Sequence, residues 1–328
     1  MRVFVIIFLV ATISCHKDPE IVIPLSDCPT LDEVIATMDY DPNGTYFPEL
    51  PVVGSDTGMS LAIYNPSNVN EIISFYSGYL SSYVESLGRY NLLTGDFFSI
   101  WANPDLISFP EISSTGWLLF TRPDFQIWKM KITGDSLTQL TNAGENFHYA
   151  WSPDGEQFIY STTAISGIYI PIIADKNGNT IHILPDDVFI TIPAWSPDGK
   201  YIAHRDNTNL NIKLLDTETW EVKNLIINDN GNLQNEQILW IDFYPDSKYI
   251  LWATPLSLSK TNIETNITEV IATTCDSQHF SSISISPNGE NILVLKIYYE
   301  PYDSKHLYLS SKVFLLDAQG NEIREIVF

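Results

Sequence analysis

From about residue 57 onward the chain alternates short apolar, β-rich runs with small polar breaks. The stretch "HYAWSPDGEQFIYS" (His148–Ser161) shows the unit: "YAW", a polar break, then "QFIYS". "AWSPDGKYIA" (Ala194–Ala203) repeats it. Apolar runs on both sides of a short polar break predict two strands and a tight turn. Within the break, Pro presets φ for the second position of a type I turn, Asp suits the third, and Gly takes the left-handed position that follows. Each unit therefore predicts an antiparallel hairpin.

Looser copies complete a series. "FYPDSKYILW" (Phe243–Trp252) has Ser247 for Gly, "ISPNGENILVL" (Ile285–Leu295) has Asn288 for Asp, and "ISSTGWLLFT" (Ile112–Thr121) has Ser114 at the Pro position. The earliest is "YNPSNVNEIISFY" (Tyr64–Tyr76). Residues Pro66, Ser114, Pro153, Pro197, Pro245 and Pro287 are thus spaced by 48, 39, 44, 48 and 42, the period of a four-stranded propeller blade. A second hairpin with a polar tip follows each first one, as in "QIWKMKITGDSLTQL" (Gln126–Leu140) and "KVFLLDAQGNEIREI" (Lys312–Ile326). The expected fold is all-β, a six-bladed β-propeller of four-stranded antiparallel blades over residues 57–328. Its structural turn residues are Pro66, Pro153, Asp154, Gly155, Pro197, Asp198, Gly199, Pro245, Pro287 and Gly289. Residues 15–56 are expected to form a tether with a short helix near "TLDEVIATM" (Thr30–Met38). Ring closure is expected from blade-to-blade packing, the alternative being an added strand from "GTYFPELPVV" (Gly44–Val53).

The N-terminus follows a different pattern. "MRVFVIIFLVATISC" has one basic residue, Arg2, then an apolar run too short to span a bilayer, then small residues before Cys15. Residues 1–14 read as an export signal. "TISC" (Thr12–Cys15) resembles a bacterial lipobox, with Thr12 where Leu is usual, and implies lipidation of Cys15. "HKDPE" (His16–Glu20) resembles the surface-export signal of some lipoproteins. The expectation is an outer-membrane lipoprotein on the periplasmic face or the cell surface. Cys28 and Cys275 then remain as a candidate disulfide in an oxidising compartment, with the pairing left open.

Composition narrows the partners. The chain has 328 residues, 45% hydrophobic and 17% charged, enough apolar material for a core. Its net charge of −23 would repel phosphate backbones, so nucleic acid is excluded as a partner.

The "WSPDG" unit, together with "LLFTRPDFQIWKMKITGDSLTQLT" (Leu118–Thr141), resembles the TolB-type propeller repeat. The same repeat occurs in the propellers of prolyl-oligopeptidase-like peptidases. The resemblance covers residues 57–328 and implies the fold, with binding of another envelope protein at the propeller mouth. TolB also carries an N-terminal α/β domain, where this chain shows only a short tether. The peptidases use a separate hydrolase domain, which is not expected here.

No G-x-S-x-G, H-E-x-x-H, P-loop or G-x-G-x-x-G motif and no zinc-spaced cysteine pair occurs, so neither an enzyme nor a cofactor or metal is expected. "DKNGNT" (Asp175–Thr180) spaces oxygens as a calcium loop does but reads as a hairpin tip. His148 and His279 precede inner strands on the face opposite the "SPDG" turns. Arg122 and Arg205 follow second strands, suiting a carboxylate ligand or an ion pair between blades. With Asp124, Phe147 and Tyr149 they form the candidate binding set. The expected function is a lipid-anchored envelope module that binds a protein, peptide or glycan through the mouth. The alternative is a metal-dependent polysaccharide lyase or glycan hydrolase.

Overall fold

The computed structural model describes residues 28–36, 58–79, 83–102, 110–185, 187–206, 211–225, 237–301 and 307–327. The export signal, Cys15 and the segment Gly44–Val53 lie outside the described residues.

Among the described residues, twenty-four strands form six four-stranded antiparallel sheets, each built from consecutive strands. Blade 1 comprises β1 (Gly58–Asn65), β2 (Asn68–Tyr79), β3 (Tyr83–Asn91) and β4 (Phe97–Ala102). Blade 2 comprises β5 (Glu111–Ile112), β6 (Trp117–Thr121), β7 (Ile127–Lys131) and β8 (Thr138–Gln139). Blade 3 comprises β9 (Asn146–Trp151), β10 (Gln157–Thr162), β11 (Ile170–Asp175) and β12 (Thr180–Ile183). Blade 4 comprises β13 (Thr191–Trp195), β14 (Tyr201–Arg205), β15 (Ile212–Asp216) and β16 (Val222–Leu225). Blade 5 comprises β17 (Trp240–Phe243), β18 (Tyr249–Ala253), β19 (Ser257–Asn262) and β20 (Thr268–Thr273). Blade 6 comprises β21 (Gln278–Ile285), β22 (Asn291–Pro301), β23 (Leu307–Asp317) and β24 (Glu322–Ile326). The architecture is a six-bladed β-propeller.

Period-two alternation explains why the second strands read as continuous apolar runs. In β18, Ile250 and Trp252 pack toward blade 4, while Leu251 points the other way into blade 6. Both faces of the strand are buried, so neither can be polar. Six hydrophobic clusters fill the six boundaries around the ring. Each fully buried side chain of this size contributes roughly 1.5–3 kcal/mol.

Among the described residues, the boundary between blades 6 and 1 closes by packing of side chains from the two blades. There Tyr64, Ile72 and Tyr90 pack on Leu293, Val313 and Ile326. The Tyr90 hydroxyl donates to the Val327 carbonyl at 3.1 Å, and Arg324 donates to the Leu92 carbonyl at 2.7 Å.

The repeated turn is held by its own side chains. Ser152 Oγ donates to Asp154 Oδ1 at 2.6 Å and accepts from the Gln157 amide at 2.9 Å, while Asp154 Oδ1 accepts from the Glu156 amide at 3.0 Å. The Ser152 hydrogen bond is the chief reason the Asp154 carboxyl titrates below its ordinary value. Ser196 with Asp198, and Ser286 with Asn288, repeat the arrangement. Gly155, Gly199 and Gly289 have φ of 68°, 79° and 74°, the left-handed conformation that a side chain disfavours.

Outside the ring, α1 (Leu31–Ala36) begins with a capping box: Thr30 N–H donates to Glu33 Oε2 and Glu33 N–H to Thr30 Oγ1, at 2.7 and 3.1 Å. A disulfide joins Cys28 to Cys275, with a Cα–Cα distance of 5.5 Å. The Leu31 amide donates to Asp276 Oδ1 at 2.7 Å, and the Ser277 hydroxyl to the Pro29 carbonyl. The segment is thereby fastened to the link between blades 5 and 6.

Candidate functional site

The turns of adjacent blades touch one another and form a collar around one mouth of the central channel. Ser67 Oγ donates to the Ser114 carbonyl (2.6 Å), Ser114 Oγ to the Pro153 carbonyl (2.8 Å), and Asp198 N–H to Ser247 Oγ (2.9 Å). Gly199 lies against Pro153, and Gly289 against Pro245. Between blades 1 and 6 the Tyr64 amide donates to Ser284 Oγ at 3.0 Å.

Inside the collar lies a cavity of about 400 Å³ lined by all six blades. That volume falls within the range of small-ligand sites. The six residues three positions before the turn's Pro position all line it: Ile63, Glu111, Ala150, Ala194, Asp242 and Ser284. Four are apolar or small, and two are carboxylates. Glu111 belongs to blade 2 and Asp242 to blade 5, three blades apart on the ring and therefore on opposite walls.

Both acids are half-buried where they line the cavity. Burial, with the nearby Asp242 charge adding to it, pushes the Glu111 carboxyl up to about 8. Glu111 keeps some accessible surface where it lines the cavity, with protein enclosing the rest. Burial raises Asp242 to about 7, against the amides of Ile285 and Phe243, which donate to its two oxygens at 2.8 Å each. Near neutral pH the pair therefore holds at least part of a proton, because two like charges in a low-dielectric site cannot both ionise freely.

The residues singled out in the sequence fall at the other end of the channel. His148 and His279 lie within β9 and β21, not in loops before them, and His148 sits at a bulge with φ of 55°. Burial and the Arg205 charge lower His148 to about 4, so it is neutral at pH 7. Phe147 meets Phe125 edge-on at 5.7 Å and lies 6.4 Å from Tyr169. Tyr149 is buried in the core between blades 2 and 3. Arg122 stands over the rings of Trp128 and Trp101 at 4.8 and 5.9 Å. Arg205 donates to the Ile238 carbonyl of the next blade at 2.7 Å and to Thr191 Oγ1 at 3.0 Å. Asp124 Oδ1 accepts from the Gln126 amide at 3.0 Å. His279 packs edge-on against Tyr299 at 5.1 Å, on blade 6, away from the blade 2–3 aromatic group. These contacts knit blades together more than they offer free groups.

"DKNGNT" is the tip of the β11–β12 hairpin. Its Asp175 carboxylate accepts from the Asn177 and Asn179 amides and from Asn179 Nδ2, at 2.8–2.9 Å. Among the described residues, no three His, Cys, Asp or Glu side chains gather as metal ligands do.

No protein-family model matches the chain. The uncharacterised protein Atu1656 of Agrobacterium fabrum is 21% identical over 252 residues, covering 74% of this chain and 83% of that protein. A TolB candidate from Agrobacterium tumefaciens superposes with a TM-score of 0.60 at 18% identity, over 73% of this chain and 86% of the other. A chain of the nidogen/laminin complex superposes with a TM-score of 0.53 at 13% identity, over 73% and 89%. The chain is thus a propeller protein. More narrowly, its fold is the six-bladed TolB-like one.

Proposed function

We propose that this protein is a binding module of the bacterial envelope, anchored by lipid on Cys15, that holds a protein or peptide partner at the turn-side mouth of its propeller. The cavity shared by all six blades carries this reading, because it is a preformed concave site with few polar groups converging on it. Similarity to a TolB candidate and to a propeller in a protein–protein complex supports a protein as the partner. An export signal and lipobox-like "TISC" support the envelope and the anchor.

A photo-crosslinking amino acid placed at Pro197, exposed on the rim, tests the site. It should capture one partner species in envelopes, whereas the same group at Asn177, on an outer hairpin tip, should not. Equal capture at both positions, or none at Pro197, would count against the mouth. For the anchor, Cys15→Ser should release the protein from membranes.

A further inference from the structure

We infer that the turn-side cavity takes a single basic side chain, arginine or lysine, from an extended segment of the partner, clamped between Glu111 and Asp242. This rests on the mouth being the binding site and adds the chemistry of what enters it.

The cavity's charge is one-sided. Its described lining holds two carboxylates, Glu111 and Asp242, and no Lys, Arg or His. Among the described residues, no hydrogen bond or ion pair reaches the Glu111 carboxylate, which lines the cavity as a half-buried side chain. A half-enclosed acid without a protein partner is free to pair with a cation that enters the cavity and supplies both charge and donors. Asp242 is prepared for the same guest. Its oxygens are aimed by backbone amides from two different strands, and each keeps lone-pair capacity to accept once more.

The walls suit the rest of such a side chain. Trp195, Trp240 and Phe243 line the cavity with Ile63 and Ile285, so an alkyl stem meets apolar surface and the charged head meets the acids. A divalent metal fits less well, since it needs about six oxygen ligands and no third carboxylate joins the pair among the described residues. The acids stand on opposite blades of one cavity, so a planar or three-donor head between them has an acceptor on either side.

The test uses the full chain and two probes, acetyl-Gly-Ala-Arg-Ala-Gly-amide and its citrulline counterpart, which has nearly the same shape without the charge. Binding is followed at pH 7.5 by calorimetry and by emission from the cavity tryptophans. The arginine peptide should bind at least about tenfold more tightly than the citrulline peptide, a difference of about 1.4 kcal/mol. The double variant Glu111→Gln, Asp242→Asn should abolish that preference while keeping its β-sheet circular dichroism. Equal binding of the two peptides, no saturable binding of the arginine peptide, or an unchanged preference in the folded double variant would each overturn the inference. The peptide comparison in the wild-type protein stands even if the variant does not fold. Capture at Pro197 reports on the mouth separately: partner capture without any arginine preference would sink the cation and leave the mouth, whereas no capture would sink the mouth itself.

Discussion

The Ser247 hydroxyl accepts a hydrogen bond from the Asp198 amide at 2.9 Å, joining the turns of blades 5 and 4. Ser247 stands where the other strong repeats have Gly and holds a left-handed φ of 58°. The departure from the motif thus has a use, since glycine at this position has no side-chain acceptor for the bond. Ser247→Ala should cost about 1 kcal/mol, because it loses the bond and keeps the strained backbone. Ser247→Gly should be near neutral, because relief of roughly 1 kcal/mol of left-handed strain offsets the loss. Chemical unfolding of the two variants checks the order.

The collar predicts unequal costs for the same substitution at equivalent glycines. A Cβ at Gly155 would lie 2.8 Å from Thr115 Oγ1 and 3.2 Å from Ser113 Cβ. At Gly199 it would meet only the Pro153 ring, at an ordinary 3.7 Å. Gly199→Ala should cost about 1 kcal/mol from backbone strain alone, and Gly155→Ala about 2–3 kcal/mol. Equal midpoint shifts in urea would mean that the turns do not press on each other as described.

The carboxylate pair predicts a pH signature. Glu111 has a folded pKa of about 8 against an ordinary value of 4.5, so between these pH values the unfolded chain has lost a proton that the folded chain keeps. Stability from this group is full below pH 4.5 and falls as pH rises toward 8. Asp242, raised to about 7, acts in the same direction from 3.8 upward. His148 and His204, both lowered to about 4 chiefly by burial, act oppositely, removing stability as pH falls below 6.5. Comparison with Glu111→Gln isolates the acid: the variant's melting temperature should gain on the wild type from pH 5 to pH 8, then run parallel. A constant gap across that range would contradict the buried, protonated carboxyl.

Cys28 and Cys275 tie the N-terminal segment to the blade 5–6 link across a sequence separation of 247 residues. Reduction, or the double substitution Cys28→Ser and Cys275→Ser, should lower stability by about 2–4 kcal/mol. It should also expose the Pro29–Ala36 region to protease before the blades are cut. A protease pattern unchanged by reduction would show that the Leu31–Asp276 and Ser277–Pro29 hydrogen bonds suffice on their own.

The blade repeat was legible because the turn that defines it is local: Ser, Pro, Asp and Gly satisfy one another within a few residues. The β9 bulge was not, because an extra residue in a strand leaves the apolar pattern nearly intact while re-aiming His148. The acid pair had a signal that the turn motif concealed. With the six copies aligned on the Pro position, the column three residues earlier reads Ile63, Glu111, Ala150, Ala194, Asp242 and Ser284, and the two acids stand out. What the column cannot show is that residues so far apart in sequence face each other, since that follows only from closing the ring at six. Arg122 and Arg205 were legible as rim arginines, but not as groups committed to tryptophan rings and a backbone carbonyl.

Every blade is cut from one unbroken stretch of chain, and among the described residues the seam between blades 6 and 1 is made by side-chain packing, two hydrogen bonds to backbone carbonyls and the Tyr64 amide's bond to Ser284. Nothing in the strand pairing fixes which blade comes first. The gene for such a ring can be rotated at any blade boundary, or a blade's worth of coding sequence exchanged for another, without rewiring a sheet. Whatever enters the channel is then met by a short stretch from every blade, and specificity can change at the position three residues before each turn's Pro position without touching the strand pairing.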